Sequence, residues 1–418
     1  MRPVRSVLAL LLVVASFLVA PSRAATPDVV RRLVGTLTGT VTRTYRVPDG
    51  ALLAGVTWRS GDVSAAVLRD GRWEALERGD DEPGSRPGTE PVGVERLLVL
   101  RMSGRAEGVA VEFAGGGSSS AAPAVAPRRI PRLGDVVTRR GWGADERLRS
   151  GRVKYTTPAA LVVHHTVTAN DYPREKAASY VRAVYAYHTR SRGWSDIGYN
   201  LLVDRFGTVY EGRYGDFTRG VVGSHTANYN ANTIGVALVG NFDTVALPPA
   251  TQDAVARAGA WASEHWRFDP RATVRLRGRT VSRMPGHRDL GTTACPGRYT
   301  YAALPALRKA AWHKLAPVFG RATVNGAPLH SPRPVTVSAS LDAPAYWTAT
   351  IYVRDTRLAV ASGRGRTASV AWDGTLDSGL PAPPGTYDYV LTADDRVHGA
   401  SAPVSGTFEV GLPALVSP

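Results

Sequence analysis

A stretch rich in glycine, serine, alanine and proline interrupts the chain at residues 114–132, with the sequence AGGGSSSAAPAVAPRRIPR. A segment of this composition cannot bury enough apolar surface to form a packed core. The chain of 418 residues therefore folds as more than one unit, and its length fits two to four domains. We predict a flexible linker over residues 114–133.

Short runs of alternating apolar and polar residues precede this linker. They include residues 41–47, 52–58 and 97–102, and turn signals such as Pro48-Asp49-Gly50 separate them. Such a pattern is typical of an all-β, sandwich-like domain. We predict an N-terminal β-rich domain over residues 25–113, in which no cluster of histidine, cysteine or paired carboxylates suggests chemistry.

Strand and helix periodicities alternate between residues 134 and 317. The apolar run LVVHH predicts a buried strand, whereas residues 174–189, 250–266 and 301–315 predict helices. This order favours a central α/β domain in which helices cover a mixed sheet.

The last part of the chain, residues 318–414, returns to short strands and turns. We predict a small β-sandwich of the immunoglobulin-like type there. The predicted fold class is therefore multidomain, with a central α/β domain flanked by two all-β, sandwich-like domains.

The first 24 residues have the features of a secretory signal peptide. Arg2 and Arg5 precede an apolar run from Val7 to Ala20, and small residues lead to a cleavage site near Ala24. The apolar run is shorter than the roughly 20 residues that span a bilayer. We predict a secreted protein without a stable membrane anchor after cleavage, and an uncleaved anchor is the alternative.

The formal net charge of +16 favours anionic partners. DNA, anionic membranes and anionic cell-wall polymers all have the required charge. The arginines are scattered, and the sequence has neither a basic helix nor a zinc-finger or helix-turn-helix signature, so we expect no nucleic-acid partner. We predict association with a bacterial cell wall.

The chain has one cysteine, Cys295, which excludes a disulfide framework within the chain. It shares the loop GHRDLGTTACPG with His287, and His164 and His165 end the predicted buried strand. Two histidines and one cysteine with an open fourth position are typical of a catalytic zinc site. Two alternatives stay open: a cysteine buried as a small apolar residue, and a hydrolase that uses a Cys–His nucleophile.

Five motifs recur in order through the central domain, and they resemble the peptidoglycan recognition protein family, which shares its fold with zinc-dependent type 2 N-acetylmuramoyl-L-alanine amidases. The motifs are TRRGWGA, LVVHHT, WSDIGYNLLVDRFGTVYEGR, GSHTANYNANTIGVALVGNF and GHRDLGTTACPG. The resemblance implies hydrolysis of the amide between N-acetylmuramic acid and the L-alanine of the peptidoglycan stem peptide. A recognition protein that binds muropeptides without cleaving them is the alternative, and a structural wall protein is a third interpretation.

The resemblance also assigns roles to residues. It implies a Zn²⁺ held by His164, His287 and Cys295, catalytic roles for Tyr199 and Thr293, and a substrate-binding role for His225. The general base is not assigned, because no glutamate lies in a HExxH motif, and Tyr199 is expected to orient the attacking water. His165 is expected to pack or to form a hydrogen bond.

Two further segments bear on specificity and retention. The family often has EGRGWNVVGAH where this chain has the longer EGRYGDFTRGVVGSH, so the preference for a type of stem peptide is not carried over. Near the C-terminus, AWDGTLDSGLPAPPGTYDYVLTA resembles an immunoglobulin-like repeat of flagellar hook-capping proteins and bacterial secreted enzymes. That resemblance implies a spacer or wall-binding role, with the tyrosines in the core.

Overall fold

A computed structural model describes residues 29–79, 82, 84–117, 125–326, 334–354, 356–376 and 378–411. The predicted signal peptide and residues 118–124 of the predicted linker lie outside the described residues. No helix in these ranges is both long enough and apolar enough to cross a membrane.

The N-terminal strands among the described residues form one antiparallel sheet of six. They are β1 (Val29–Arg46), β2 (Ala51–Thr57), β3 (Ser60–Arg69), β4 (Arg72–Leu76), β5 (Val92–Gly93) and β6 (Leu97–Gly115). The long strand β6 pairs with β1 along one edge and with β2 and β3 end to end along the other. The pairing therefore gives an all-antiparallel β region, and its sandwich-like arrangement stays a prediction.

The central sheet also has six strands in the described part of the chain. They are β7 (Arg128–Ile130), β8 (Gly134–Val137), β9 (Ala160–His165), β10 (Leu201–Val203), β11 (Val209–Glu211) and β12 (Thr233–Leu238). Their order is β7-β8-β11-β10-β12-β9, with both parallel and antiparallel pairs. The expectation of a mixed sheet is confirmed. A hairpin of β13 (Thr273–Leu276) and β14 (Arg279–Ser282) stands apart from it.

Helices cover both faces of the central sheet. They are α1 (Arg139–Trp142), α2 (Ala177–Ala186), α3 (Pro249–Trp266) and α4 (Arg298–His313). Side chains alternate between the faces of a strand. Accordingly, Leu201 and Val203 of β10 join the core under α3 and α4, whereas Leu202 joins the core under α2.

The predicted linker is shorter in the structure than in the sequence analysis. Strand β6 continues to Gly115, and the backbone carbonyl of Gly116 accepts a hydrogen bond of 2.7 Å from Nε of Arg182. At the other end, β7 pairs with β8 of the central sheet. Polar backbone pairing therefore extends into both ends of a segment whose composition indicated a linker throughout.

The N-terminal sheet is docked against the central domain. Leu53 of β2 and Ala114 of β6 lie in the same buried cluster as α2. Tyr187 donates a hydrogen bond of 2.8 Å to the backbone carbonyl of Thr89. A Cβ atom at Gly55 would lie 2.0 Å from the Tyr187 hydroxyl, so this approach requires glycine. The docking places the chain between β4 and β6 next to the carboxyl end of β9.

The C-terminal strands within the described ranges form one sheet of five. They are β15 (Thr323–Asn325), β16 (Val335–Val353), β17 (Thr356–Trp372), β18 (Gly385–Asp394) and β19 (Val404–Val410). Tyr387, Tyr389 and Leu391 are buried, as expected of core residues. The pairing again gives one sheet, and the immunoglobulin-like identity stays a prediction.

Candidate metal centre

The two histidines that end β9 point in opposite directions because strand side chains alternate. Leu161 and Val163 face the core under α3 and α4, and His165 shares their side of the strand. The backbone N–H of Phe242 donates a hydrogen bond of 3.2 Å to His165 Nδ1. His164 therefore faces the opposite side of the sheet, and the expected packing role of His165 agrees with its position.

Backbone pairing brings His287 beside His164. Val163 forms a parallel bridge with Gly286, and the Val163 N–H donates a hydrogen bond of 2.9 Å to the Pro285 carbonyl. The residues that follow each partner therefore lie side by side, and the two imidazole centroids are 4.7 Å apart. A hydrogen bond of 2.9 Å from the Arg288 N–H to the Cys295 carbonyl then folds the loop so that Cys295 reaches the same place.

His164, His287 and Cys295 each offer one ligand atom, and these atoms lie within 4.8 Å of one another. His164 Nδ1 is 3.7 Å from Cys295 Sγ. Zinc bonds of about 2.0–2.1 Å to nitrogen and 2.3 Å to sulfur place tetrahedral ligand atoms about 3.5 Å apart. The backbone N–H of His165 donates to Cys295 Sγ at 3.4 Å, which stabilises a thiolate. The donor set and its spacing fit a tetrahedral metal with one open position.

The second nitrogen of His164 is held by His225. His164 Nε2 lies 3.0 Å from His225 Nδ1. Burial, with His287 nearby, lowers the pKa of His164 well below its usual range and lowers the pKa of His225 to about 3, so both rings are neutral. If His164 Nδ1 binds a metal, its Nε2 carries the hydrogen and donates to His225. His225 Nε2 then carries a hydrogen, and this atom is buried near the backbone of Thr233.

Tyr199 lies beside His164, two residues before β10 begins, with the two ring centroids 5.4 Å apart. The neighbouring Asn200 fixes this position. Its side-chain nitrogen donates to the Val221 carbonyl at 2.7 Å, and its side-chain oxygen accepts from the Gly235 N–H at 2.8 Å. Tyr199 is 6% exposed, so its hydroxyl belongs to a nearly dry site.

Thr293 contacts Glu77, which belongs to the N-terminal region, where the sequence suggests no chemistry. Its hydroxyl accepts a hydrogen bond of 3.0 Å from the Cys295 N–H and donates one to the Glu77 carboxylate. The N–H of Ala294 donates to the same carboxylate. Glu77 directly follows β4, so the N-terminal sheet contributes to the loop that carries Cys295. More than 200 residues separate the partners, and no local signal relates them.

Two cavities near the candidate metal centre share the lining residue Ser224. The smaller, of about 10 Å³, is lined by the three candidate ligands, Tyr199 and His225, and also by Glu77 and Glu90. The larger, of about 430 Å³, is lined by four basic residues and by the carboxylates of Glu82 and Asp196. Ser224 lines both cavities. The basic residues of the larger cavity are Arg149, Arg152, Lys154 and Arg213.

The longer segment noted after EGR lies at the larger cavity. Its Tyr214 lines the wall, and the Arg149 guanidinium carbon lies 3.8 Å from the centre of the Tyr214 ring. A Cβ atom at Gly215, where φ is +121°, would lie 2.4 Å from a Val153 methyl group. This close approach explains the glycine that follows Tyr214.

Comparison with known proteins relates the part of the chain that carries this centre to a protein family. A family model described as N-acetylmuramoyl-L-alanine amidase matches residues 154–298, which contain every candidate site residue. Peptidoglycan-recognition protein SC2 of Drosophila simulans is 36% identical over 169 residues, which cover 39% of this chain and 80% of that protein. The chain belongs to the peptidoglycan-recognition protein family. Peptidoglycan-recognition protein LB of Drosophila melanogaster is 29% identical over 171 residues, which cover 40% of this chain and 67% of that protein.

Solved structures are also similar to part of this chain. The structure of Drosophila PGRP-LB is 28% identical in sequence, and the match covers 40% of this chain and 91% of the PGRP-LB chain, with a TM-score of 0.34. The endolysin N-acetylmuramoyl-L-alanine amidase LysCS from Clostridium intestinale URNW is 26% identical in sequence. That match covers 38% of this chain and 88% of the LysCS chain, with a TM-score of 0.29.

Proposed function

We propose that this chain is a secreted, zinc-dependent N-acetylmuramoyl-L-alanine amidase that acts on peptidoglycan. The observation that carries the proposal is the cluster of His164, His287 and Cys295, whose ligand atoms lie within 4.8 Å of one another beside Tyr199 and His225. The match to the amidase family model over residues 154–298 supports the same reaction.

The chain's own residues can supply the remaining parts of an amide hydrolysis. Zinc, when bound, polarises the amide carbonyl and promotes ionisation of water. His225 lines the same small cavity as the three candidate ligands and is proposed to contact the substrate. The Tyr199 hydroxyl is proposed to orient the attacking water. Burial of both groups strengthens these interactions, because a dry site screens them little.

The alternative is a recognition protein that binds muropeptides without cleaving them. The names of its relatives, which are peptidoglycan-recognition proteins, favour this alternative. The complete donor set of two histidines and a cysteine favours the enzyme, because binding alone does not need a metal with an open position.

The proposal is tested on purified peptidoglycan sacculi with the full chain. We expect about one zinc per wild-type chain, as this ligand set requires, and release of peptides that begin with L-alanine. Cys295→Ala and His287→Ala are expected to lose both, whereas His313→Ala, an exposed histidine at the end of α4, is expected to retain both.

Three other results would change the conclusion. Activity that does not need zinc and that Cys295→Ala abolishes would indicate a thiol hydrolase. Binding to sacculi without release of peptide would indicate a recognition protein. Equal loss in His313→Ala and in the ligand variants would show that the assay reports folding.

The flanking sheets and the positive charge are proposed to retain the protein at the anionic wall. The C-terminal sheet is proposed to act as an immunoglobulin-like spacer or wall-binding domain. A chain that ends at residue 317 is expected to bind sacculi less tightly than the full chain if this sheet binds the wall, and equally if the sheet is a spacer.

A further inference from the structure

The chain between β4 and β6 lies over the candidate metal centre. We call residues 77–79, 82 and 84–94, which the structure describes, the cover segment. At one end, Glu77 accepts hydrogen bonds from the Thr293 hydroxyl and the Ala294 N–H. At the other end, the Gly93 N–H donates to the Val167 carbonyl at 2.9 Å. The cover segment therefore bridges both sides of the centre.

Glu82 of the cover segment occupies a site built for a carboxylate. Arg213 Nη2 lies 2.8 Å from the Glu82 carboxylate, and the Ser195 N–H and hydroxyl donate to it at 2.8 Å and 3.1 Å. The Ser224 hydroxyl donates as well. Burial raises the pKa of Glu82, but Arg213 and the hydrogen bonds from Ser224 and Ser195 outweigh it, and the net pKa is lowered. Glu82 is therefore ionised and satisfied from several directions.

This carboxylate lines the larger basic cavity and accepts a hydrogen bond from Ser224, the residue that the two cavities share. A ligand that extends from the metal centre into the basic cavity therefore passes Arg213, Ser195 and Ser224. Charge-assisted pairs of arginine with a carboxylate are strong and directional, so these three residues select a carboxylate.

Backbone contacts hold the cover segment in place. Arg192 is fully buried and donates to carbonyls of the segment, and the Arg86 N–H donates to the Arg192 carbonyl at 2.8 Å. A Cβ atom at Gly79 would lie 2.3 Å from Arg192 Nη1, and one at Gly88 would lie 2.9 Å from Arg192 Cδ. The segment has small residues where it passes over Arg192, as a closely fitted contact requires.

We propose that the cover segment holds the metal centre shut, with Glu82 in the place of a substrate carboxylate. The cavity of about 10 Å³ at the centre is the size of a single water molecule. A muramoyl peptide therefore reaches the centre only after the segment moves. Peptidoglycan stem peptides carry carboxylates close to the scissile amide, so the substrate competes with Glu82 for Arg213. This regulation rests on the proposed amidase function, whereas the carboxylate site does not.

The test compares full-length, zinc-loaded wild type with Glu77→Gln, Glu82→Gln and the double variant. Glu107→Gln is the matched control, because Glu107 pairs with Arg59 at 2.8 Å on the exposed part of the same sheet. A soluble N-acetylmuramoyl tripeptide is the probe, and kcat/KM for its hydrolysis and its Kd by calorimetry are the readouts. Zinc content and thermal unfolding show that each variant is folded.

Because apparent rate and affinity scale with the open fraction, the double variant is expected to show at least about a tenfold higher kcat/KM and a tenfold lower Kd. Glu107→Gln is expected to match the wild type. One further outcome separates the two proposals. If no protein cleaves the probe but the double variant binds it about tenfold more tightly, closure by the cover segment is supported and the amidase proposal fails. Unchanged or weaker binding in folded, zinc-loaded variants would contradict the proposal that the cover segment closes the metal centre.

Discussion

Replacement of Arg192 by alanine tests how firmly the N-terminal sheet is held on the recognition domain. Arg192 is fully buried in the contact between the two. Its guanidinium donates to the backbone carbonyls of Arg86 at 3.0 Å, Thr89 at 3.3 Å and Gly79 at 3.5 Å. Arg192→Ala leaves these three carbonyls without that donor and opens space beside them.

The expected cost follows from two of these contacts, because the Thr89 carbonyl keeps its hydrogen bond from the Tyr187 hydroxyl. A buried polar group that loses its partner costs about 1–3 kcal/mol. Two of the bonds are long, and the cost of burying the guanidinium charge disappears with the side chain. We therefore take the lower end for each of the Arg86 and Gly79 carbonyls, which gives a loss of about 2 kcal/mol in the free energy of unfolding.

Urea unfolding of the full chain measures this loss. Arg140→Ala is the matched control, since Arg140 is an exposed arginine of the same domain, and surface substitutions usually stay within about 0.5 kcal/mol. Hydrogen exchange at the amide of Thr89, which donates to the Val56 carbonyl at 2.9 Å, is expected to accelerate in Arg192→Ala. A loss below about 1 kcal/mol with unchanged exchange would refute the reasoning, because the carbonyls would then be satisfied without Arg192.

Four further predictions concern the site and its supports. Tyr199→Phe is expected to keep its zinc, measured by metal analysis, and to lower kcat by about 10²-fold, because the hydroxyl proposed to orient the attacking water is lost. Zinc at about 100 times its Kd is expected to stabilise the wild type by about 2.7 kcal/mol in thermal unfolding and to leave Cys295→Ala unchanged. Asp204→Ala is expected to cost about 3–5 kcal/mol in urea unfolding, because this buried carboxylate accepts from two backbone N–H groups and the Tyr210 hydroxyl. The lowered pKa of Glu82 stabilises the fold above its ordinary value of 4.5; the difference in unfolding free energy between wild type and Glu82→Gln is therefore expected to hold above about pH 4.5 and to vanish as the pH falls below it.

Local periodicity predicted most of the recognition domain. Residues 250–266 and 301–315 were expected to be helical, and the structure has α3 at Pro249–Trp266 and α4 at Arg298–His313. The expectation for residues 174–189 is only partly met, because α2 ends at Ala186 and a π-helical turn follows over Tyr187–Ser191. That turn carries Tyr187 into the contact with the N-terminal sheet, and an apolar pattern does not distinguish a π-turn from an α-turn.

The sequence by itself determined which side chains are available for chemistry. A strand of alternating side chains that ends in two histidines, and a loop with a histidine and the chain's one cysteine, predicted a metal site before any coordinates. Sequence motifs assigned His164 rather than His165, and the alternation of β9 gives the physical reason for that choice.

Only the tertiary structure decided what surrounds that site. The N-terminal region showed no chemistry in its sequence, yet Glu77 and Glu82 reach Thr293 and Arg213 across 216 and 131 residues. Periodicity reports which face of an element is buried, but not which distant segment buries it. The strand order in the flanking regions was decided in the same way, since strand pairing is a long-range choice. Docking of one region on another depends on the complementary shape and charge of two folded surfaces, which exist only once both have formed.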